Sequence, residues 1–149
     1  MFKVFLKYTY LLISLTAFSV MKAKGQDVQL SAIGATKGPP GEMRFTELQS
    51  VLRGEKHKWP DGTKVVIALF NPITAPGNTT CKKIFNMSVD QLKKYWLGVV
   101  FQGKADPPYF FKTKEEVEAF VTTTLGAVGV VPQPPVIGKT IVIDGKKFF

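Results

Sequence analysis

Cysteine and histidine are nearly missing from this sequence: Cys81 and His57 are each the only residue of their kind among 149. A lone cysteine excludes an intramolecular disulfide, so packing alone must hold the fold. One histidine with one cysteine cannot build a His/Cys zinc site. A Gly-rich Walker loop and a dinucleotide fingerprint are also missing, so the sequence implies no cofactor and no metal. Internal repeats and low-complexity tracts are absent, and only one long apolar run stands out.

That run lies at the start of the chain. Lys3 and Lys7 precede residues 8–20, which are apolar apart from Thr9, Ser14, Thr16 and Ser19. The run suits the hydrophobic part of a signal peptide and falls short of the ~20 residues of a spanning helix. Ala23-Lys24-Gly25 places small residues at the −3 and −1 positions of a cleavage site before Gln26. The sequence therefore predicts a signal peptide over residues 1–25. It predicts a periplasmic or secreted domain over 26–149, with no stable membrane span once the signal is removed. A retained membrane anchor is the competing reading. About 124 residues make one domain with a modest core.

Lysine and arginine number 20 against 11 acidic residues; losing Lys3, Lys7, Lys22 and Lys24 with the signal leaves 16 against 11, a net charge of +5. The cations are scattered singly or in pairs such as Lys82-Lys83, Lys93-Lys94 and Lys146-Lys147. This does not fit a dedicated nucleic-acid binder. It favours an anionic ligand, an anionic surface or an acidic partner without choosing among them.

Along the chain, residues 29–33 read as a first strand, and a Gly-Pro-Pro-Gly loop follows within 34–42. Thr46 with Gln49 fits a capping box at the start of a helix whose inner face is Leu48, Val51 and Leu52, stopped by Gly54. Trp59-Pro60-Asp61-Gly62 is a turn, and the unbroken apolar run 65–70 suits a strand covered on both faces. Residues 71–77, with two prolines, read as a loop. Asn78 is the expected N-cap of a short helix over 79–86, with Cys81, Ile84 and Phe85 inward. Ser88 with Gln91 caps a helix carrying Leu92, Tyr95, Trp96, Val99 and Val100 on one face and ending at Gly103. Asp106-Pro107-Pro108 is a rigid connector in which either X–Pro bond could be cis. Thr113 with Glu116 caps a helix lined by Val117, Phe120, Val121 and Leu125 and closed by Gly126. Residues 127–131 read as a buried strand. Asp144-Gly145, between 140–143 and 146–149, signals a hairpin. The fold class is α/β, a mixed central sheet flanked by helices with a C-terminal hairpin.

The residues that could do chemistry are few. Cys81 falls in the first turn of a predicted helix, where the helix dipole can lower a thiol pKa; the plainer reading is a small apolar residue packing beside Ile84 and Phe85. His57 lies in the charged turn Lys56-His57-Lys58, and nothing pairs it with Cys81. Glu115, Glu116 and Glu118 cluster at a helix start, where negative charge is favoured in any case. No catalytic residue is assigned and the chain does not read as an enzyme. Gly77, Asn78, Thr79 and Thr80 are the candidate site: a predicted helix start offering backbone N–H groups and hydroxyls has the parts of an oxyanion site. The same residues are also ordinary capping residues.

Several stretches, in order, resemble one lobe of the periplasmic phosphate-binding proteins, the solute receptors of phosphate ABC transporters. They are Phe45-Thr46-Glu47-Leu48-Gln49-Ser50-Val51-Leu52-Arg53-Gly54, Lys58-Trp59-Pro60-Asp61-Gly62-Thr63, Tyr95-Trp96, Val100-Phe101-Gln102-Gly103, Pro107-Pro108, Gly126-Ala127-Val128-Gly129-Val130-Val131 and Ile143-Asp144-Gly145. The resemblance implies a stand-alone, single periplasmic-binding-protein-like lobe. It implies phosphate or a similar oxyanion as ligand, with Trp59 and Gly129 in structural roles. The family's serine-glycine-threonine step preceded by an arginine has no match here: residues 68–80 contain no arginine. A charge-assisted contact is therefore missing, and only the backbone part of the site, at Gly77, Asn78, Thr79 and Thr80, could persist. Two readings stay open. One is a solute-binding lobe, weak alone or completed by a homodimer or an envelope protein partner. The other is an interaction or assembly module that kept the fold and lost the ligand.

Overall fold

The computed structural model describes residues 28–149; the predicted signal peptide and its cleavage site lie outside the described residues. Six strands run β1 Leu30–Gly34, β2 Glu42–Met43, β3 Val66–Phe70, β4 Tyr109–Phe111, β5 Ala127–Pro132 and β6 Lys139–Ile143. The helices are α1 Phe45–Leu52, α2 Ala75–Thr80, α3 Val89–Phe101 and α4 Lys114–Thr123, and α2 runs directly into a π-helix at Cys81–Phe85. The strands form one sheet in the order β2-β6-β1-β5-β3-β4. β3 is parallel to β4 and β5, β1 is antiparallel to β5 and β6, and β2 is parallel to β6. This is the mixed α/β sheet expected from the sequence.

Alternation along the strands splits the core into two layers. Leu30, Ala32, Ile67, Leu69, Val128, Val130, Ile141 and Ile143 face one side, where they meet Leu48, Val51 and Leu52 of α1, Ile84 and Phe85 of the π-helix, and Leu92 and Trp96 of α3. Ile33, Ala68, Phe70, Ala127 and Val131 face the other side, against Val117 and Val121 of α4. Burial on both faces explains why β3 and β5 read as unbroken apolar runs. Gly129 lets α4 sit close: a Cβ there would lie 3.1 Å from side-chain atoms of both Val117 and Val121. Trp59 is buried, and its indole spans two turns. Both residues therefore have the structural roles expected of them.

The capping boxes at Ser88/Gln91 and Thr113/Glu116 form as expected. The one expected at Thr46/Gln49 does not. α1 begins two residues earlier, with Arg44 at the N-cap and no side-chain cap of its own. Asp144 Oδ1 accepts from the Phe45 N–H at 3.3 Å instead, and the Gln49 amide donates to the Ile84 carbonyl at 2.7 Å. α4 ends at Thr123, so Leu125 lies past it and is exposed. Among the described residues the one cis peptide bond is Gln133–Pro134, not either bond of the 106–108 connector. Asp144 and Gly145 both have positive φ, as a two-residue hairpin turn requires. Ile143 and Lys146 exchange both backbone bonds across it, at 2.7 and 2.9 Å. The second arm then leaves β6: Phe149 exchanges both of its bonds with Leu30, at 2.9 Å each, so the chain end pairs with β1.

Candidate functional site

In open α/β sheets ligands gather outside the carboxyl ends of the parallel strands, where successive connections leave for opposite faces. Here the connection after β3 passes through α2 and α3 on one face, and the connection after β4 passes through α4 on the other.

At the end of β3 the chain turns tightly. The Asn71 N–H donates to the Phe111 carbonyl at 2.7 Å, tying the turn to β4. Asn71 Oδ1 accepts from the Ile73 N–H at 3.2 Å, and the Asn71 carbonyl accepts from the Thr74 N–H at 2.9 Å and from the Thr74 hydroxyl at 2.7 Å. Thr74, extended at φ −77° and ψ 157°, is the N-cap of α2, and its Oγ1 accepts from the Gly77 N–H at 3.2 Å.

This corrects the expectation that 71–77 is loop and Asn78 the cap. Proline is tolerated in the first turn of a helix, where its missing N–H has no intrahelical partner anyway. Pro76 therefore sits inside α2, and the helix starts at Ala75. Gly77, Asn78, Thr79 and Thr80 are brought together, but as the body of α2. Gly77 is buried because the helix rests on the preceding turn: a Cβ would lie 2.0 Å from the Asn71 carbonyl oxygen. The Asn78 side chain is exposed, and its N–H donates to the Thr74 carbonyl at 2.9 Å. The Thr79 and Thr80 hydroxyls donate back to the Ala75 and Pro76 carbonyls at 3.1 and 3.0 Å. Proline removes one first-turn amide and Thr74 takes those of Gly77 and Asn78, which leaves the N–H of the exposed Ala75 as the first-turn amide outside the cap.

The neighbouring start of α4 is also closed. Glu116 Oε2 accepts from the Lys112 and Thr113 N–H groups at 2.9 and 3.2 Å. Glu118 is buried; its carboxylate accepts from the Val136 and Ile137 N–H groups at 2.9 and 3.4 Å, with Lys114 Nζ 3.8 Å away. Lys114 also donates to the Pro134 carbonyl. These two residues hold the loop after β5 against α4, a role the sequence reading missed when it grouped Glu118 with the exposed Glu115 and Glu116. The signal was its place between Val117 and Val121, on the inward side of the helix.

Cys81 is buried in the core beside Ile84 and Phe85, and burial pushes its thiol up, away from the thiolate a nucleophile needs. His57 lines a separate cleft of about 550 Å³ near the amino end of β3, with Lys56, Lys64 and Asp106. Lys64 and Asp106 form an exposed ion pair there, and the Lys64 ammonium holds the Asp106 carboxyl below its usual range. Among the described residues no cluster of three or more His, Cys, Asp or Glu could hold a metal ion, and no helix is long and apolar enough to cross a membrane.

No family model matches the sequence, and no curated protein matches it as a relative. Solved structures do match the fold. An ABC-type phosphate transport receptor from Vibrio cholerae superposes with a TM-score of 0.51 at 13% identity, covering 79% of this chain and 48% of the receptor. PstS from Borrelia burgdorferi gives 0.60 at 10%, covering 80% and 49%. A putative phosphate ABC transporter substrate-binding protein from Clostridium perfringens, solved with bound phosphate, gives 0.51 at 12%, covering 80% and 47%. The chain has the fold of these substrate-binding proteins and spans about half of their length, as a single lobe does. At such identities the likeness is one of fold.

Proposed function

We propose that this chain is an extracytoplasmic solute-binding lobe that takes phosphate or a similar oxyanion at the start of α2, weakly by itself and more tightly against a second lobe. The observation that carries the reading is the match of about 80% of the chain to about half of each of three phosphate-transport binding proteins. In this reading the anion meets the N–H of the exposed Ala75 and the exposed side chain of Asn78. Gly77, Thr79 and Thr80 set the position of that first turn. The positive end of the helix dipole adds to both.

Weak binding follows from the parts. Residues 68–80 contain no arginine, so no bidentate charge-assisted pair forms from this segment. An anion on one lobe stays half in water, where each hydrogen bond competes with solvent. A second lobe, from another copy of the chain or from an envelope protein, would exclude that water. An exported address fits the role, with the segment 1–25 acting as the signal.

The test is titration of inorganic phosphate into protein purified after expression of the full-length chain. We expect a millimolar dissociation constant by calorimetry, with amide NMR shifts concentrated in residues 74–80. No heat, no thermal stabilisation and no shifts at millimolar phosphate would sink binding by the single lobe.

A further inference from the structure

A groove of about 400 Å³ runs between α3 and the β4 edge, lined chiefly by Pro72, Trp96, Leu97, Val100, Pro108 and Phe110. Its walls continue into apolar side chains that stand in solvent: Leu97 is 72% exposed, and Phe101, one turn along α3, is 90% exposed. Ile73, beside Pro72, is 73% exposed. With roughly 150–250 Å² on an aromatic side chain, this is several hundred Å² of apolar surface in one place. Monomers seldom leave a patch of that size bare.

The charges around the groove are mostly positive. Among the described residues, Lys93 is the only charged one lining it. Lys94 is next to it, Lys104 lies just past the end of α3 and Lys112 follows Phe111 of β4; all three are exposed. Of the nearby carboxylates, Asp106 pairs with Lys64 and Glu116 caps α4, while Asp90, exposed in the first turn of α3, stands one turn before Lys93 and is outnumbered by these lysines. A two-fold contact sets a patch against itself, so a second copy would press lysines against lysines.

The edge of β4 is also blunted against strand addition. Phe111 pairs inward with Asn71, Pro107 and Pro108 have no N–H, and Glu116 takes the N–H groups of Lys112 and Thr113. Phe110 alone keeps an outward N–H, too little for a pairing strand. What fits is an occupant that inserts side chains. Lys93, Leu97 and Val100 recur at helical spacing along one stripe, on the order of 10 Å long at 1.5 Å per residue, and Lys104 follows beyond the helix end in a cleft that shares Val100 and Pro107 with the groove. That is the length of about two turns of a partner helix. Trp96 lines the groove, and its buried indole N–H has no acceptor.

We propose that this groove docks an amphipathic helical segment of a partner protein, its apolar stripe on Leu97, Val100 and Phe110 and its flanking carboxylates on Lys93 and Lys104. The proposal does not depend on an anion being bound at α2.

The probe is a synthetic 15-residue helical peptide with leucine every third or fourth position and glutamate flanks, beside the same peptide with lysine flanks. Binding to protein from the full-length chain is read by anisotropy and by the emission of Trp96, with Trp96→Phe as the control for that signal. The glutamate peptide is expected to bind at least tenfold more tightly than the lysine peptide. Leu97→Glu is expected to lose at least tenfold while melting unchanged, because Leu97 is exposed. Lys93→Glu with Lys104→Glu is expected to reverse the peptide preference. Equal binding of both peptides, or binding of neither, overturns the proposal. So does sedimentation showing a dimer that Leu97→Glu dissociates, which makes the occupant a second copy. Pelleting with anionic vesicles that Leu97→Glu abolishes while the peptides fail overturns it in favour of a lipid surface.

Discussion

The indole N–H of Trp59 donates to the carbonyl of Gly126 at 2.8 Å, joining the turn before β3 to the turn before β5 across 67 residues of chain. The same carbonyl accepts from the Val66 N–H at 3.1 Å. Gly38 closes the arrangement, since a Cβ there would lie 2.6 Å from Trp59 Cδ1 and 2.8 Å from Gly126 Cα. Trp59→Phe keeps most of the apolar volume and removes the bond, and is expected to cost about 1–2 kcal/mol in urea unfolding. Gly126→Ala should cost more, because φ is +73° and the new Cβ would lie 2.0 Å from the Lys64 carbonyl. A Phe variant as stable as the parent would show that the bond holds nothing.

Gly77→Ala separates packing from binding at α2. The added Cβ would meet the Asn71 carbonyl at 2.0 Å, so the helix must lift off the turn beneath it. Overpacking of this kind costs typically about 1–3 kcal/mol, and backbone oxygen yields less than a side chain does. A lowered melting temperature with changed amide shifts at Asn71 and Thr74 is expected, with or without phosphate. An unchanged melt would mean that Gly77 is there for another reason.

Glu118→Gln puts an NH2 group where the carboxylate accepts two backbone N–H groups. One donor then faces another, and hydrogen bonds to a charged acceptor are worth about 1.5–3 kcal/mol. Hydrogen exchange at Val136 and Ile137 should quicken, and thermolysin should cut the 133–138 loop sooner. Unaltered protection of the Val136 amide would show that Lys114 and packing suffice to hold the loop.

Cys81 makes a pH prediction. Burial raises its thiol in the folded protein, while the unfolded thiol titrates near its ordinary ~8.5. Above that pH the unfolded state gives up its proton first and gains on the folded state, so stability declines as pH rises. Tyr95, raised by burial and by the Glu55 charge, adds a decline of the same sign at higher pH. Urea midpoints at pH 7.5 and 9.5 should fall less in Cys81→Ala than in the parent. Ellman's reagent should label the parent only as fast as it unfolds; immediate labelling would show an open thiol.

The elements legible in advance are those whose signals are local. Ser88 with Gln91 and Thr113 with Glu116 lie three residues apart and satisfy each other's backbone, so their boxes read directly from the sequence. Thr46 with Gln49 has the same spacing, but Gln49 is drawn to Ile84 and the N-terminal amide of α1 to Asp144, partners 35 and 99 residues away. β2 and β4, two and three residues long, exist because β6 and β3 offer them edges. At residues 77–80 the expected helix is present and its start is not where it was expected. Two prolines before Asn78 suggested a loop, whereas Thr74 caps a helix that already contains Pro76. Exposure of Leu97 and Phe101 depends on how α3 rotates onto the sheet, which periodicity alone does not fix when Leu92 and Trp96 also compete for the inner face.

Leu30 and Phe149 exchange both backbone bonds, so the two ends of the described domain sit side by side. Polypeptide entering before Leu30 and polypeptide continuing past Phe149 would pass through the same point on the surface. A unit tied off in this way can be spliced into a loop of another protein as a cassette without stretching its host. It can also be reopened elsewhere: joining residues 28 and 149 by a short linker and cutting in the 133–138 loop should yield a permuted chain with the same sheet.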